Sequence, residues 1–359
     1  MWPAQEAGVC QVAFDETYLA QEDAVDKSAE DQKRLEDLSK PPSIWRRYGL
    51  QIGVATVGLL IWALFLFSAP EVFTRPAIYT AFAATTPLFL IIALALTFVI
   101  ITGEIDLSFP AVMALSMVSF TWVFQSGGFI GVAFLAAIVT GTLAGAFNGF
   151  LVAKMGIPAV VITIGTSFLF RGLELAAMAG RGVPLTDPGL QGLKSILVGR
   201  VLGGIPMQFF WVIAIAVMLW YLLNRTRFGS HVYLIGDNST SARLMGVNVL
   251  WTKMGVFALV GAMAAFAGMI ASFEVSYFWP TLGEGTLLNT IAAVFVGGTS
   301  PFGGAGSMVG TLIGGFIIGA LNAGIVSAGI NAFWTQAVFG FVIVVSLVMQ
   351  VVIKNRLKN

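Results

Sequence analysis

Two carboxylates, Glu104 and Asp106, stand two residues apart between Gly103 and Pro110 in the run Ile101 to Ser116, ITGEIDLSFPAVMALS. Paired carboxylates can move protons, hold a cation or line a polar path through a membrane. A second charged pair, Arg171 and Glu174, has the three-residue spacing of an intrahelical ion pair. The rest of the reactive inventory is thin. The sole histidine, His231, neighbours Tyr233, and the sole cysteine, Cys10, lies far away in sequence, so neither a catalytic dyad nor a metal cluster is legible. A lone cysteine also excludes an intramolecular disulfide. No G-x-x-x-x-G-K-[ST] phrase occurs, and no lysine falls between Lys253 and Lys354. The chain therefore has no Walker-type ATP site. No catalytic residue, no metal ligand and no cofactor of its own is expected, so any ATP and magnesium would be bound by a partner subunit.

What the carboxylates do depends on the backbone around them. Gly103 and Pro110 both permit non-helical structure, which survives at membrane depth only where protein or a water-filled cavity satisfies its polar groups. The segment reads either as a helix break beside a translocation path or as a cap, with Asp106 and Ser108 starting the next helix and Glu104 solvated. A second break is expected at Gly297, Gly298, Thr299 and Pro301, within the glycine-dense run Leu287 to Gly315. Polar side chains on the intervening apolar segments need partners inside a membrane: Asn148, Thr163, Thr166 and Asn289 are candidates for the path, or for close helix packing. With Gly103, Glu104, Asp106 and Ser108, these residues make up the candidate path.

These residues sit in an apolar frame. Hydrophobic residues make up 57% of the 359 and charged ones 10%, against about 25% charged in a soluble domain. Apolar runs of about 17–25 residues recur, each long enough to cross the hydrocarbon core as helix. Ten are expected, at 48–68, 79–102, 108–125, 129–153, 157–179, 207–224, 252–275, 285–301, 306–327 and 333–353. With both termini cytoplasmic, fourteen of the nineteen basic residues fall on the inner side, as the positive-inside bias requires. The fold class is thus an all-α polytopic membrane protein of about ten transmembrane helices, with broken helices. The two breaks, five segments apart, suggest inverted-repeat halves. Residues 1–45 form an acidic polar cytoplasmic tail, 46–353 the transmembrane domain and 354–359 a short basic tail. The external segment Gly180 to Met207 reads as a short amphipathic piece plus a loop.

One polar island interrupts the apolar frame: residues 225–251, beginning RTRFGSHVYLIGDNSTSARLMGVNV. Its core, Asn238 to Gly246, predicts a short surface helix capped by Ser239 or Thr240 and ended by Gly246. A helix lying on the membrane between two spans is suited to receiving force from a soluble partner. Arg243, Ser241 and Ala242 are expected to face that partner, with Leu244 on the same turn.

From about Tyr48 to Val351, four phrases in order resemble the permease subunits of ATP-binding-cassette importers of the ribose/simple-sugar branch, related more distantly to branched-chain amino acid permeases. They are ITGEIDLS, GAFNGFLVAKMGIPAVVITIGT with FRG, the polar island above, and IAAVFVGGTSPFGGAGSMVGTLIGG. The resemblance implies a second permease copy (homodimer or heterodimer of paralogues), a cytoplasmic ATP-binding-cassette ATPase whose cleft receives Ser239 to Gly246, and a periplasmic sugar-binding protein. It implies the bacterial inner membrane and no nucleic-acid partner. Glu104 departs from the glycine common in relatives. The expected function is import of a small neutral sugar or polyol. The alternatives are a proton- or sodium-coupled secondary transporter, or a permease for a nucleoside or branched-chain amino acid.

Overall fold

The computed structural model describes residues 44–327 and 334–356. The acidic tail with Cys10, and the last three residues of the basic tail, lie outside the described residues. Residues 50–359 form one compact unit, and of the unit before it only the helical residues 44–49 are described.

The chain runs α1 (Ile44–Ser68), α2 (Pro70–Phe73), α3 (Pro76–Ile101), α4 (Phe109–Gln125), α5 (Ile130–Met155) and α6 (Ala159–Met178). A connector follows with β1 (Val183–Pro184), a 3₁₀ turn (Pro188–Leu190), α7 (Gln191–Val198), β2 (Arg200–Val201) and β3 (Ile205–Pro206). Next come α8 (Met207–Arg225), α9 (Arg227–Leu244), α10 (Val249–Val275), β4 (Tyr277–Phe278), α11 (Thr286–Val296), α12 (Met308–Ser327) and α13 (Trp334–Arg356). Among the described residues, α3, α5, α6, α8, α10 and α12 are long and apolar enough to cross a membrane. Shorter apolar helices lie within α1 and α13 and form α4 and α11.

The middle of the bundle is α3, in which every residue from Phe89 to Ile101 is buried, packed beside α10. Around them α5, α6 and α8 turn large apolar side chains outward; Phe168 is 76% exposed and Leu135 60%. Such a surface is stable only against hydrocarbon or another apolar body.

Glycine sets the closest approach. Gly141, Gly145 and Gly149 recur every fourth residue on one face of α5, and a Cβ at Gly149 would come 2.7 Å from the Met254 backbone. Along this seam Gly141 meets Gly261 and Gly145 meets Phe257, so α5 and α10 run antiparallel with backbones almost touching.

Two connections leave the regular pattern, and together they build the interior. Residues 102–108 join α3 to α4, and residues 276–285 join α10 to α11. Each follows a long helix and leads into a shorter one. The two segments enter from opposite ends of the bundle, and Gly283 packs on the first turn of α4, where a Cβ would lie 2.6 Å from the Pro110 carbonyl oxygen.

This arrangement corrects the symmetry expected from sequence. The break at Gly297–Pro301 is not the inverse of the break at Gly103. Among the described residues six apolar helices separate them, so both chain reversals fall at the same end, and the Gly304 amide donates to the Ile101 carbonyl at 2.9 Å. The oppositely directed counterpart of 102–108 is 276–285.

Candidate functional site: the junction under the polar helix

Helix α3 ends because Gly103 adopts φ +81°, which a side-chain-bearing residue rarely tolerates. The Gly103 amide then donates to Ile100 O (2.9 Å) and the Glu104 amide to Val99 O (3.2 Å), closing the last turn. Helix α11 ends by the same device: Gly298 has φ +84°, its amide donates to Phe295 O (2.9 Å), and that of Thr299 to Val294 O (3.2 Å). The expected span 285–301 is therefore cut to the eleven residues of α11.

The two terminated helices meet under α9. Gly303, at φ +80°, places its α-carbon where a Cβ would lie 2.9 Å from Gly236 O and 3.0 Å from Gly103 N. Gly236, on α9, has the Ile101 carbonyl directly against it. The Tyr233 hydroxyl donates to Gly306 O at 3.0 Å, and burial pushes the Tyr233 phenol above its ordinary pKa. Three segments thus pack main chain on main chain: the end of α3, the 302–306 turn and the first half of α9. A shift in any one is passed to the others, because backbone contacts cannot relax by changing rotamer.

Helix α9 is kinked at Asn238 (φ −158°, ψ 107°), which divides it into a half packed on the junction and an outer half. The cap of the outer half is Asn238, not Ser239 or Thr240. Its Oδ1 accepts from the Thr240 amide (3.0 Å) and the Ser241 amide (2.9 Å). Asn238 has the extended backbone of a cap and one side-chain oxygen in reach of both amides. Gly246, at φ +84°, ends the turn as expected: its amide donates to Arg243 O and that of Val247 to Ala242 O, each at 3.0 Å.

Ala242 does not face outward. It is fully buried with Ile235, Val247 and Val249, forming the small apolar seat that holds the outer half in place. Ser239, Thr240, Ser241 and Arg243 are exposed, as are Leu244 (86%), Met245 (62%) and Trp251 (65%). An arginine beside three exposed large apolar side chains, on a rigidly capped turn, is the composition of a protein contact surface. Leu244 was among the residues expected there, whereas Met245 and Trp251 were not.

Beneath the junction, Asp106 is buried and its Oδ1 accepts from the Ser108 amide (2.8 Å) and the Ser108 hydroxyl (2.6 Å). The Asn148 amide of α5 donates to the Ser108 oxygen at 2.7 Å, so the three residues form one chain. The Asn148 Oδ1 and the Thr299 hydroxyl are buried with no hydrogen-bond partner among the described residues. Ser108 starts α4 but does not cap it through its hydroxyl. Glu104 is not simply solvated: it forms an ion pair with Lys253, 149 residues away on the first turns of α10. Thr163 and Thr166 are buried on α6 and bond to their own helix, each at 3.4 Å. Asn289 is half-buried on α11, Gly297 packs against Thr311, and Pro301 is half-buried in the turn. The structure therefore brings Gly103, Glu104, Asp106, Ser108, Asn148, Gly298 and Thr299 to one region, while the side-chain hydrogen bonds of Thr163 and Thr166 stay within α6. His231 is half-buried on α9, and among the described residues no group of three metal-ligating side chains occurs.

Arg171 of α6 reaches the 276–285 segment, which packs on the first turn of α4. It bonds to Glu174 (3.1 Å), whose side chain is fully buried, and to the Pro280 and Leu282 carbonyls, with Glu284 at 3.8 Å.

Residues 78–347 match the family described as the permease component of the branched-chain amino acid transport system. The chain belongs to this permease family. Among its curated relatives, the ribose import permease protein RbsC of Bacillus subtilis (strain 168) is 37% identical over 260 residues, 72% of this chain and 80% of that protein. The autoinducer 2 import system permease protein LsrC of Salmonella paratyphi B is 31% identical over 296 residues, covering 82% and 84%. LsrC of Escherichia coli (strain K12 / DH10B) is 32% identical over 268 residues, covering 74% and 76%. The matched range of the permease contains every part of the junction, from the end of α3 to the 302–306 turn.

Proposed function

We propose that this permease is the membrane subunit of an ATP-driven, binding-protein-dependent importer of a small neutral sugar or polyol in a bacterial inner membrane. The observation that carries the reading is the outer half of α9: a turn capped at both ends, exposed, and joined at Asn238 to the half of α9 that packs on the end of α3 and the 302–306 turn. A partner ATPase gripping Arg243, Leu244 and Met245 would pull on both breaks through Gly236. Two copies, identical or paralogous, would enclose the path, with ten crossings each and both termini in the cytoplasm. A periplasmic binding protein would deliver substrate at the opposite end.

Three features support a neutral cargo. Glu104 is paired with Lys253 and Glu174 with Arg171, so neither carboxylate presents a free charge. Hydroxyl and amide groups such as Asn148 and Thr299 suit weak hydrogen bonding to sugar hydroxyls. The relatives named above import ribose and autoinducer 2. Uptake of labelled ribose, xylose, galactose and inositol by cells carrying the complete system tests the cargo. Transport of a branched-chain amino acid with no response to any sugar or polyol would overturn it.

One observation favours the second reading, a proton-coupled transporter: Asp106 is buried and, among the described residues, forms no ion pair. Uptake that stops on ATP depletion but persists with a proton ionophore supports the importer, and the reverse supports coupling through Asp106.

A further inference from the structure

At the end of the bundle opposite α9, the eight-residue α7 lies over a pocket of about 210 Å³. Ile130 and Phe134 of α5, Leu193 and Ile196 of α7, Trp211 of α8 and Phe266 of α10 line it. No polar side chain does, so the pocket has nothing with which to hold a sugar. It is also smaller than the ~300–1,000 Å³ usual for sites that enclose a whole small molecule. A flexible apolar segment entering from the open side fits it.

The surroundings identify the segment. The mouth is continuous with the outward apolar surface of α5, where Phe129, Val132 and Leu135 are exposed, and Ile196 at the rim is 55% exposed. Trp211 stacks edge-on against Phe266, with centroids 5.3 Å apart, and its indole donates to the Ile196 carbonyl at 3.0 Å. An indole with one apolar face and one satisfied N–H, near a helix end, is placed where membrane interfaces concentrate tryptophan. Lys194 follows the lining residue Leu193 on α7, and Arg200 stands on β2, two residues after the end of α7. Lys194 donates to the Ser276 hydroxyl and Arg200 to the Gly204 carbonyl, and among the described residues neither forms an ion pair with a carboxylate. Two cations without counter-charges, above an apolar slot that opens toward hydrocarbon, complement an anionic headgroup with its chain below.

We propose that the pocket under α7 binds one acyl chain of an anionic phospholipid whose phosphate is held by Lys194 and Arg200. The bound lipid would tie the external connector to α5, α8 and α10.

The test uses the full-length protein in detergent, with phosphatidylglycerol or phosphatidylcholine added back and lipid retention read by native mass spectrometry. One phosphatidylglycerol per chain should be retained about tenfold more tightly than phosphatidylcholine. Ile196→Glu, at the half-exposed rim of the pocket, should abolish this retention while the variant melts cooperatively like the native protein. Lys194→Gln with Arg200→Gln should remove the preference between headgroups while leaving chain binding. Chain-brominated phosphatidylglycerol should quench fluorescence in the native protein more than in Trp211→Phe. Unchanged retention in Ile196→Glu would overturn the proposal. Equal quenching by chain-brominated phosphatidylcholine would overturn the headgroup assignment. Loss of self-association in Ile196→Glu with lipid retention intact would give the pocket to a second copy of the chain instead.

Discussion

Gly303→Ala is the sharpest probe of the backbone junction. Two terms separate in this variant. The residue sits at φ +80°, and holding an L side chain in that region costs about 1–2 kcal/mol. The new methyl would also lie 2.9–3.1 Å from Gly236 O, Gly103 N and Gly103 Cα, all main-chain atoms that cannot swing aside. Overpacking of this kind costs about 1–3 kcal/mol. Gly127→Ala supplies the control, since Gly127 has φ +79° but open space around its α-carbon. The difference between the two variants isolates the contact term, about 1–3 kcal/mol. At roughly 2–4 °C per kcal/mol, Gly303→Ala should melt about 2–12 °C below Gly127→Ala in the same detergent. Because Gly303 touches both α9 and the end of α3, the variant should also lose coupled transport out of proportion to its loss of folded protein. Equal melting of the two variants, with normal transport in both, would refute the junction.

Two further outcomes follow from the charges. Arg171→Leu leaves the buried Glu174 carboxylate uncompensated and should destabilise by about 3–5 kcal/mol, whereas the double variant Arg171→Leu/Glu174→Leu should recover most of that loss. Thermal melting of the three proteins decides it, and a double variant as unstable as the single would contradict the pairing. If the N-terminal segment is cytoplasmic, as proposed, an impermeant maleimide should label Cys10 only after the membrane is opened; labelling of intact spheroplasts would overturn the even number of crossings or the orientation.

Hydrophobic run length located the apolar helices well, because a segment that must bury its backbone polar groups in lipid has few ways to do so. Glycine at Gly103 and Gly246 marked real helix ends, since a positive φ is a local requirement that the residue type reveals. Direction and depth were less legible. The breaks at Gly103 and Gly298 share one local geometry, and nothing local says that both close at the same end. The oppositely directed segment 276–285 falls between two expected spans, 252–275 and 285–301, where it reads as an ordinary connection. In NSTS, four consecutive residues can all cap a helix, and the extended backbone of Asn238 decides among them. Ala242 looked surface-borne because α9 is polar overall; its burial depends on Val247 and Val249 folding back across the turn. The Glu104–Lys253 pair joins residues 149 apart, a distance that no local pattern spans.

The outer half of α9 is proposed to pass force from a separate ATPase to a chain that carries no Walker-type motif. The most direct measurement is ATP hydrolysis by the reconstituted permease, ATPase and binding protein, with and without cargo. Arg243→Glu and Gly246→Trp should leave the permease inserted and correctly folded while lowering both cargo-stimulated hydrolysis and uptake. Full stimulation and uptake in both variants would contradict the account.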